Sequence, residues 1–111
     1  MTVQKIMDAL QLTLVAGEKG LKKAITTGYV GDLLSSVMAH AQEGCVWLTI
    51  QGHLNIVAVA SLVNISCIIV IQGATIQPDT IEKANEEHIP IFSTEYSAYE
   101  MVKKLVDIGV Y

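Results

Sequence analysis

From Cys45 to Gly73 the chain reads CVWLTIQGHLNIVAVASLVNISCIIVIQG, two continuous apolar runs on either side of an apolar stretch of helical length. Cys45 to Ile50 and Ser66 to Ile71 do not alternate and are rich in β-branched residues, which predicts strands covered on both faces and a parallel sheet. Between them, His53 to Val63 predicts a helix with Leu54, Val57, Ala58, Ser61 and Leu62 on one face. Ile56, Val59, Ala60 and Val63 fill most of the other face. A helix apolar nearly all round must be covered on two sides. The second cover is either another helix of the same layer or another subunit.

The flanking segments are shorter and more polar. Thr2 can cap a first helix whose Val3, Ile6, Met7 and Leu10 follow helical spacing. Leu12 to Val15 predicts a short strand, Ala16 to Lys23 a loop containing Gly17 and Gly20, and Ala24 to Val30 another strand. Asp32 is placed to cap a helix over Leu33 to Ala41, with Leu33, Leu34, Val37 and Met38 inward. After Gln72-Gly73-Ala74, Pro78-Asp79 opens a helix with Glu82 three residues beyond its cap, and Ile81, Ala84, Asn85 and His88 along one side. The proline in Ile89 to Phe92 suggests an edge strand or a strand start. Ser97 and Glu100 spell a capping box, with Tyr96 and Met101 as its staple and Met101, Val102, Leu105 and Ile108 facing inward. The strand and helix order, joined by right-handed crossovers, predicts a single-domain α/β sandwich over residues 1–111, with a small, largely parallel sheet flanked by helices.

Composition narrows the function classes. The 111 residues are 51% apolar with a mean hydropathy of +0.45, yet no apolar run reaches the roughly 18 residues of a membrane span. Met1 leads directly into an amphipathic helix, so no signal peptide is expected and a cytoplasmic location follows. All 7 basic residues are lysine against 11 acids. Without arginine, bidentate phosphate and guanine contacts are missing, which argues against nucleic-acid binding. Lys19, Lys22 and Lys23 read as a solvated loop, and Cys45 and Cys67, lacking CxxC spacing, as buried reduced thiols.

Ligands of parallel sheets sit beyond the carboxyl ends of the strands. The candidate binding residues are therefore Thr49, Gln51, Gly52, His53 and Asn55 after one strand, and Gln72 and Gly73 after the next. Ser93 to Glu95 follow the last strand, and Gly31 and Asp32 join the same edge. Each also reads as an ordinary cap or turn residue. His53 has no defined carboxylate partner, and His40 and His88 lack metal-ligand spacing. There is no GxSxG elbow around Ser35-Ser36 and no phosphate loop in Gly17-Glu18-Lys19-Gly20. No catalytic residue, metal site or cofactor is expected.

The run Gly20-Leu21-Lys22-Lys23-Ala24-Ile25-Thr26-Thr27-Gly28-Tyr29-Val30-Gly31-Asp32-Leu33-Leu34-Ser35, with Trp47 to Gln51 and His53 to Ala60, resembles the DRTGG domain family. The resemblance covers nearly the whole chain. Lys22 and Lys23 stand where the family's Asp-Arg would be, and Thr26-Thr27-Gly28 keeps part of its Thr-Gly-Gly, with Thr27 in place of a glycine. It implies a domain similar to the N-terminal domain of HPr kinase/phosphorylase, without that enzyme's separate kinase domain. Related domains accompany CBS domains in regulated pyrophosphatases and occur in some phosphotransacetylases.

The resulting expectation is a stand-alone, non-catalytic regulatory domain. It would self-associate as a homodimer and take a small ligand, nucleotides among the classes considered, at the strand-end edge. Two alternatives are a phosphotransfer or hydrolytic enzyme using His53 and Asp32, and a protein-interaction adaptor with no ligand. The dimer expectation rests on surplus apolar surface, placed on the helix His53 to Val63 and its neighbour Leu33 to Ala41.

Overall fold

The computed structural model describes residues 1–111 as one α/β/α sandwich. In chain order the elements are α1 (Val3–Leu10), β1 (Thr13–Ala16), a short 3-10 turn (Glu18–Gly20), β2 (Gly28–Val30) and α2 (Leu34–His40). There follow β3 (Val46–Thr49), α3 (Asn55–Leu62), β4 (Cys67–Val70), α4 (Pro78–Glu87), β5 (Ile91–Ser93) and α5 (Ala98–Asp107). The sheet order is β1-β5-β4-β3-β2, parallel throughout except for β1 against β5.

The continuous apolar runs are explained by the two layers that cover them. Cys45, Trp47, Ile68, Val70 and Ile91 face a core shared with α2, α3 and α4. Val46, Leu48, Cys67, Ile69 and Phe92 alternate with them and face α1 and α5. Both sides of each central strand are therefore dry. α3 lies against its neighbours α2 and α4 in one layer, and Ile56, Val57, Val59 and Ala60 are buried there. Most of its all-round apolar character is thus covered by helices of its own layer. What stays exposed on that layer is chiefly Leu62, with Leu33 and Met38 of the neighbouring segment.

Local signals behave unevenly. Thr2 caps α1, accepting from Lys5 N at 3.2 Å, and the Ser97/Glu100 box is complete on α5. The strand expected over Ala24 to Val30 is only Gly28–Val30, because residues 24–26 spend their backbone elsewhere. Ala24 bridges Thr2, Ile25 N donates to Met1 O, and Thr26 N donates to Gly44 O. Asp32 does not cap α2. Leu33 occupies that position with no side-chain cap, and Leu33 and Met38 are exposed instead of inward. Gln77 occupies the cap of α4, with Pro78 at its first turn and no side-chain cap bond. Val102 of α5 is exposed, so only Met101 and Leu105 form its buried stripe. Pro90 immediately precedes β5, which is an interior strand: of the two readings of that proline, strand start is correct and edge is not.

Candidate functional site

The parallel order brings the carboxyl ends of β2, β3, β4 and β5 to one edge. There Asp32, one residue beyond Gly31, turns its carboxylate toward the end of β3. Its Oδ1 accepts from Thr49 Oγ1 at 2.8 Å and from Ile50 N at 2.9 Å. Gln51 Nε2 donates to Asp32 O, and Gln51 N donates to Thr49 Oγ1 at 3.3 Å. Asp32 is exposed while Thr49 is buried. One carboxylate oxygen is thus held by the fold, while Oδ2 makes no bond within the chain and faces the solvent side of the edge.

The remaining candidates divide. Gly52 is buried and structural: a Cβ there would fall on Thr75 O, and its carbonyl accepts from Thr80 Oγ1 at 2.9 Å and from Gln77 N at 3.0 Å. It anchors the start of α4 to the loop after β3. His53 is exposed, and its Nδ1 accepts from Asn55 N at 3.2 Å, closing the entry to α3. No hydrogen bond joins His53 to Asp32 or Asn55 to Asp32. Of the expected cluster, then, hydrogen bonds unite Asp32, Thr49 and Gln51. Gln72 and Gly73 form a turn in which both residues have positive φ, 57 and 63°. Their N–H groups donate to Tyr96 O and Thr94 O, both at 2.9 Å. That pair ties the β4 and β5 ends together, and the Glu95 carboxylate lies over Gly73. A polar cleft lined by Gln11, Thr13, Ser93, Thr94 and Glu95 continues the edge beyond β5.

The segment that carries the partial family signature lies at the opposite, amino-terminal edge. Thr26 Oγ1 donates to Glu43 O at 2.8 Å, and Thr27 Oγ1 to Tyr111 O at 2.5 Å. Lys23 is half-buried, and desolvation lowers its ammonium pKa, with a smaller opposing effect from Cys67. The other two lysines of the loop are exposed, Lys19 and Lys22. Gly17 and Gly20 permit close packing: a Cβ on either would fall on the backbone of Ile89 or His88, respectively. Asn85 Oδ1 accepts from Gly17 N at 2.8 Å. The glycines of this loop therefore serve a backbone contact.

Cys45 and Cys67 are fully buried and unpaired. They sit in the cores on opposite faces of the sheet, which rules out a disulfide between them in this fold. Burial pushes the Cys45 thiol up to about 11 and raises that of Cys67 further, so neither is a ready nucleophile. No group of three or more His, Cys, Asp or Glu is placed to hold a metal ion, and no helix is long and apolar enough to cross a membrane. Sequence reasoning also missed an apolar groove of about 140 Å³ between β2 and α5, lined by Tyr29, Val30, Leu48, Val102, Val106 and Tyr111 among others. The sequence carried no signal for it, since Val102 reads there as an inward residue of the last helix.

The family model described as the DRTGG domain matches residues 5–108. No curated protein matches the sequence. Among solved structures, the chain is similar to the CBS and DRTGG domains of the regulatory region of Clostridium perfringens pyrophosphatase, a structure complexed with the activator diadenosine tetraphosphate. The TM-score is 0.75 at 20% identity, and the match covers 95% of this chain. It covers 46% of that one, so this chain spans less than half the length of the regulatory region it matches.

Proposed function

This chain belongs to the DRTGG domain family, and on that footing we propose that it is a non-catalytic regulatory domain that senses a small ligand at the carboxyl edge of its sheet. The observation that carries the reading is the half-engaged Asp32 carboxylate. Oδ1 is fixed by Thr49 and Ile50, which holds Oδ2 in one orientation as an acceptor. An acidic acceptor at the strand ends suits hydroxyl or amino donors, as a ribose presents them, better than it suits bare phosphate. The ligand class is therefore a nucleoside or nucleotide. The nucleotide activator in the pyrophosphatase complex is consistent with that class, although there it belongs to a longer regulatory region.

Two features weigh against the enzyme reading with His53 and Asp32. The imidazole Nδ1 accepts from Asn55 N and the Asp32 Oδ1 from β3, and no hydrogen bond joins the two side chains. Phosphoryl transfer would in addition require phosphate positioning and charge neutralisation by metal ions. Self-association is part of the proposal. Its support is the set of exposed apolar side chains on β2, α5 and the terminal residue, in place of the largely covered α3.

Isothermal titration with adenosine, adenosine monophosphate, diadenosine tetraphosphate and inorganic phosphate tests the ligand. Binding of at least one nucleoside compound, weakened tenfold or more by Asp32→Asn, is expected. That variant keeps an oxygen for Thr49 and Ile50 while replacing the outward acceptor by a donor. Binding of phosphate alone, or nucleotide binding indifferent to Asp32→Asn, would remove the site.

A further inference from the structure

The sheet ends on one side in β2, and the backbone there has a definite polarity. Val46 N donates to Thr27 O and Gly31 N donates to Leu48 O, so Thr27 and Gly31 turn toward β3. Since strand residues alternate, Tyr29 shares their direction, and the N–H and C=O groups of Gly28 and Val30 point away from the sheet. Natural edges are guarded by shortness, charge, proline, a bulge or a covering segment, and β2, at three residues, has only its shortness. Residues 24–31, AITTGYVG, contain no charged residue and no proline, and β2 runs in unbroken register with β3.

The apolar groove runs along this open edge. Above it, α5 presents Val102 and Val106, 39 and 42% exposed, and Val30 and Tyr111 are 49 and 82% exposed. Aromatic side chains carry roughly 150 to 250 Å² each, so one nearly bare tyrosine and three half-bare valines offer roughly 350 to 400 Å² per copy. These side chains would bury about 700 to 800 Å² in a two-fold pair, below the roughly 1,200 Å² at which stable specific interfaces begin. The rest would come from the strand backbone itself.

Resting on the self-association included in the reading above, we propose that β2 is the dimer edge: a second copy of this chain pairs antiparallel with it across a two-fold axis through Tyr29. Gly28 and Val30 of one copy then meet Val30 and Gly28 of the other as two hydrogen-bonded pairs, with four backbone bonds satisfied by symmetry alone. The two sheets join into one of ten strands, and Val102, Val106 and Tyr111 of each copy close over the junction. A copy of the same chain fits because the outward donors and acceptors are self-complementary under a two-fold, and because residues 24–31 carry no charged side chain to repel its like.

Sedimentation equilibrium at micromolar concentration, with amide hydrogen exchange, tests this. Wild type should sediment at twice the 12.0 kDa chain mass. Val106→Lys, on the exposed face of α5, should reduce it to a folded monomer by circular dichroism. So should Val30→Pro, which removes an outward N–H and leaves the β3 ladder intact. Leu62→Glu, on the other layer, should remain dimeric. In the dimer, the amides of Gly28 and Val30 should exchange at least tenfold slower than in Val106→Lys. A dimer that survives Val106→Lys, or falls apart in Leu62→Glu, leaves self-association standing and overturns this surface. Unprotected Gly28 and Val30 amides in the dimer overturn the strand pairing. A monomeric wild type overturns self-association and the surface with it.

Discussion

Asp32 holds the end of β3 from the end of β2: its Oδ1 lies 2.8 Å from Thr49 Oγ1 and 2.9 Å from Ile50 N. One exposed carboxylate thereby satisfies the hydroxyl of a buried threonine and the first backbone N–H beyond a fully buried strand. The same contact that stabilises the edge orients the acceptor that the proposed ligand would use, so structure and binding are coupled through a single side chain.

Asp32→Ala should therefore cost stability as well as binding. It leaves the buried Thr49 hydroxyl without its acceptor, a loss of about 1 to 3 kcal/mol for an unsatisfied buried group. Asp32→Asn should cost under about 1 kcal/mol, since a neutral acceptor remains. Urea denaturation of the three proteins checks both values. Equal stability of wild type and Asp32→Ala would show that the contact contributes nothing.

Gly52→Ala should be among the most damaging single-methyl changes in the chain. The new Cβ would coincide with Thr75 O, and the backbone of Thr75 and Ile76 cannot yield without releasing Thr80 and Gln77 from the Gly52 carbonyl. A loss above about 4 kcal/mol, or failure to fold, is expected. Gly109→Ala is the control, because its Cβ meets nothing within 4 Å and only its φ of 101° is unfavourable. If thermal melts place the two variants together, the close packing at Gly52 is not limiting.

A charge placed at Val59 or Val37 should unfold the chain instead of dissociating a dimer. Both look like interface positions when only the apolar pattern is considered, yet both are buried between the sheet and its helices. Burying an unpaired charge costs at least several kcal/mol, which is on the order of the whole stability of a small domain. Loss of the far-ultraviolet helical signal in Val59→Lys is the expected result. A folded, monomeric Val59→Lys would mean that α3 is an exposed interface after all.

Ser97→Ala should remove about 1 kcal/mol. Ser97 Oγ accepts from Glu100 N at 3.2 Å, the bond the variant loses, while the bond from the residue 97 backbone N–H to Glu100 Oε1, 3.1 Å in the wild type, can remain. Chemical denaturation with an unchanged midpoint would show that α5 is held by Met101 and Leu105 alone.

The parts legible in the sequence were those coded by neighbours in the chain. The runs around Trp47 and Ile69 announced strands covered on both faces, and Ser97 with Glu100 announced the start of α5, because periodicity and capping act over a few residues. Asp32 was legible as a helix cap and wrong as one. Its preference for Thr49, seventeen residues on, depends on the β2 and β3 register, which no local pattern encodes. The segment Ala24 to Thr26 looked like a strand for the same reason: its bonds go to Met1, Thr2 and Gly44, partners chosen by tertiary packing. The groove beside β2 was hidden because Val102 has the composition of a core residue, and only the position of α5 over the sheet edge leaves it bare.

The two cysteines should make the folded chain sensitive to alkali, with a sign set by their burial. A thiol in the unfolded chain ionises near 9.0, whereas burial holds Cys45 protonated up to about 11. Below pH 9 both states carry the proton, and the contribution of the thiol to stability is fully present. Between pH 9 and about 11 the unfolded chain loses its proton first, so stability falls as pH rises through that window. Cys67 acts in the same direction, as burial and the neighbouring Cys45 both raise it. Lysines and tyrosines also ionise at high pH, so the informative quantity is a difference: urea midpoints measured in reductant from pH 8 to 11 should fall more steeply for wild type than for Cys45→Ala. At pH 8 a thiol-specific reagent should leave both cysteines unmodified in the native chain and label both once urea is added. Rapid native labelling, or identical slopes for wild type and Cys45→Ala, would show that the thiols are reached by solvent far more readily than their place in the two cores implies.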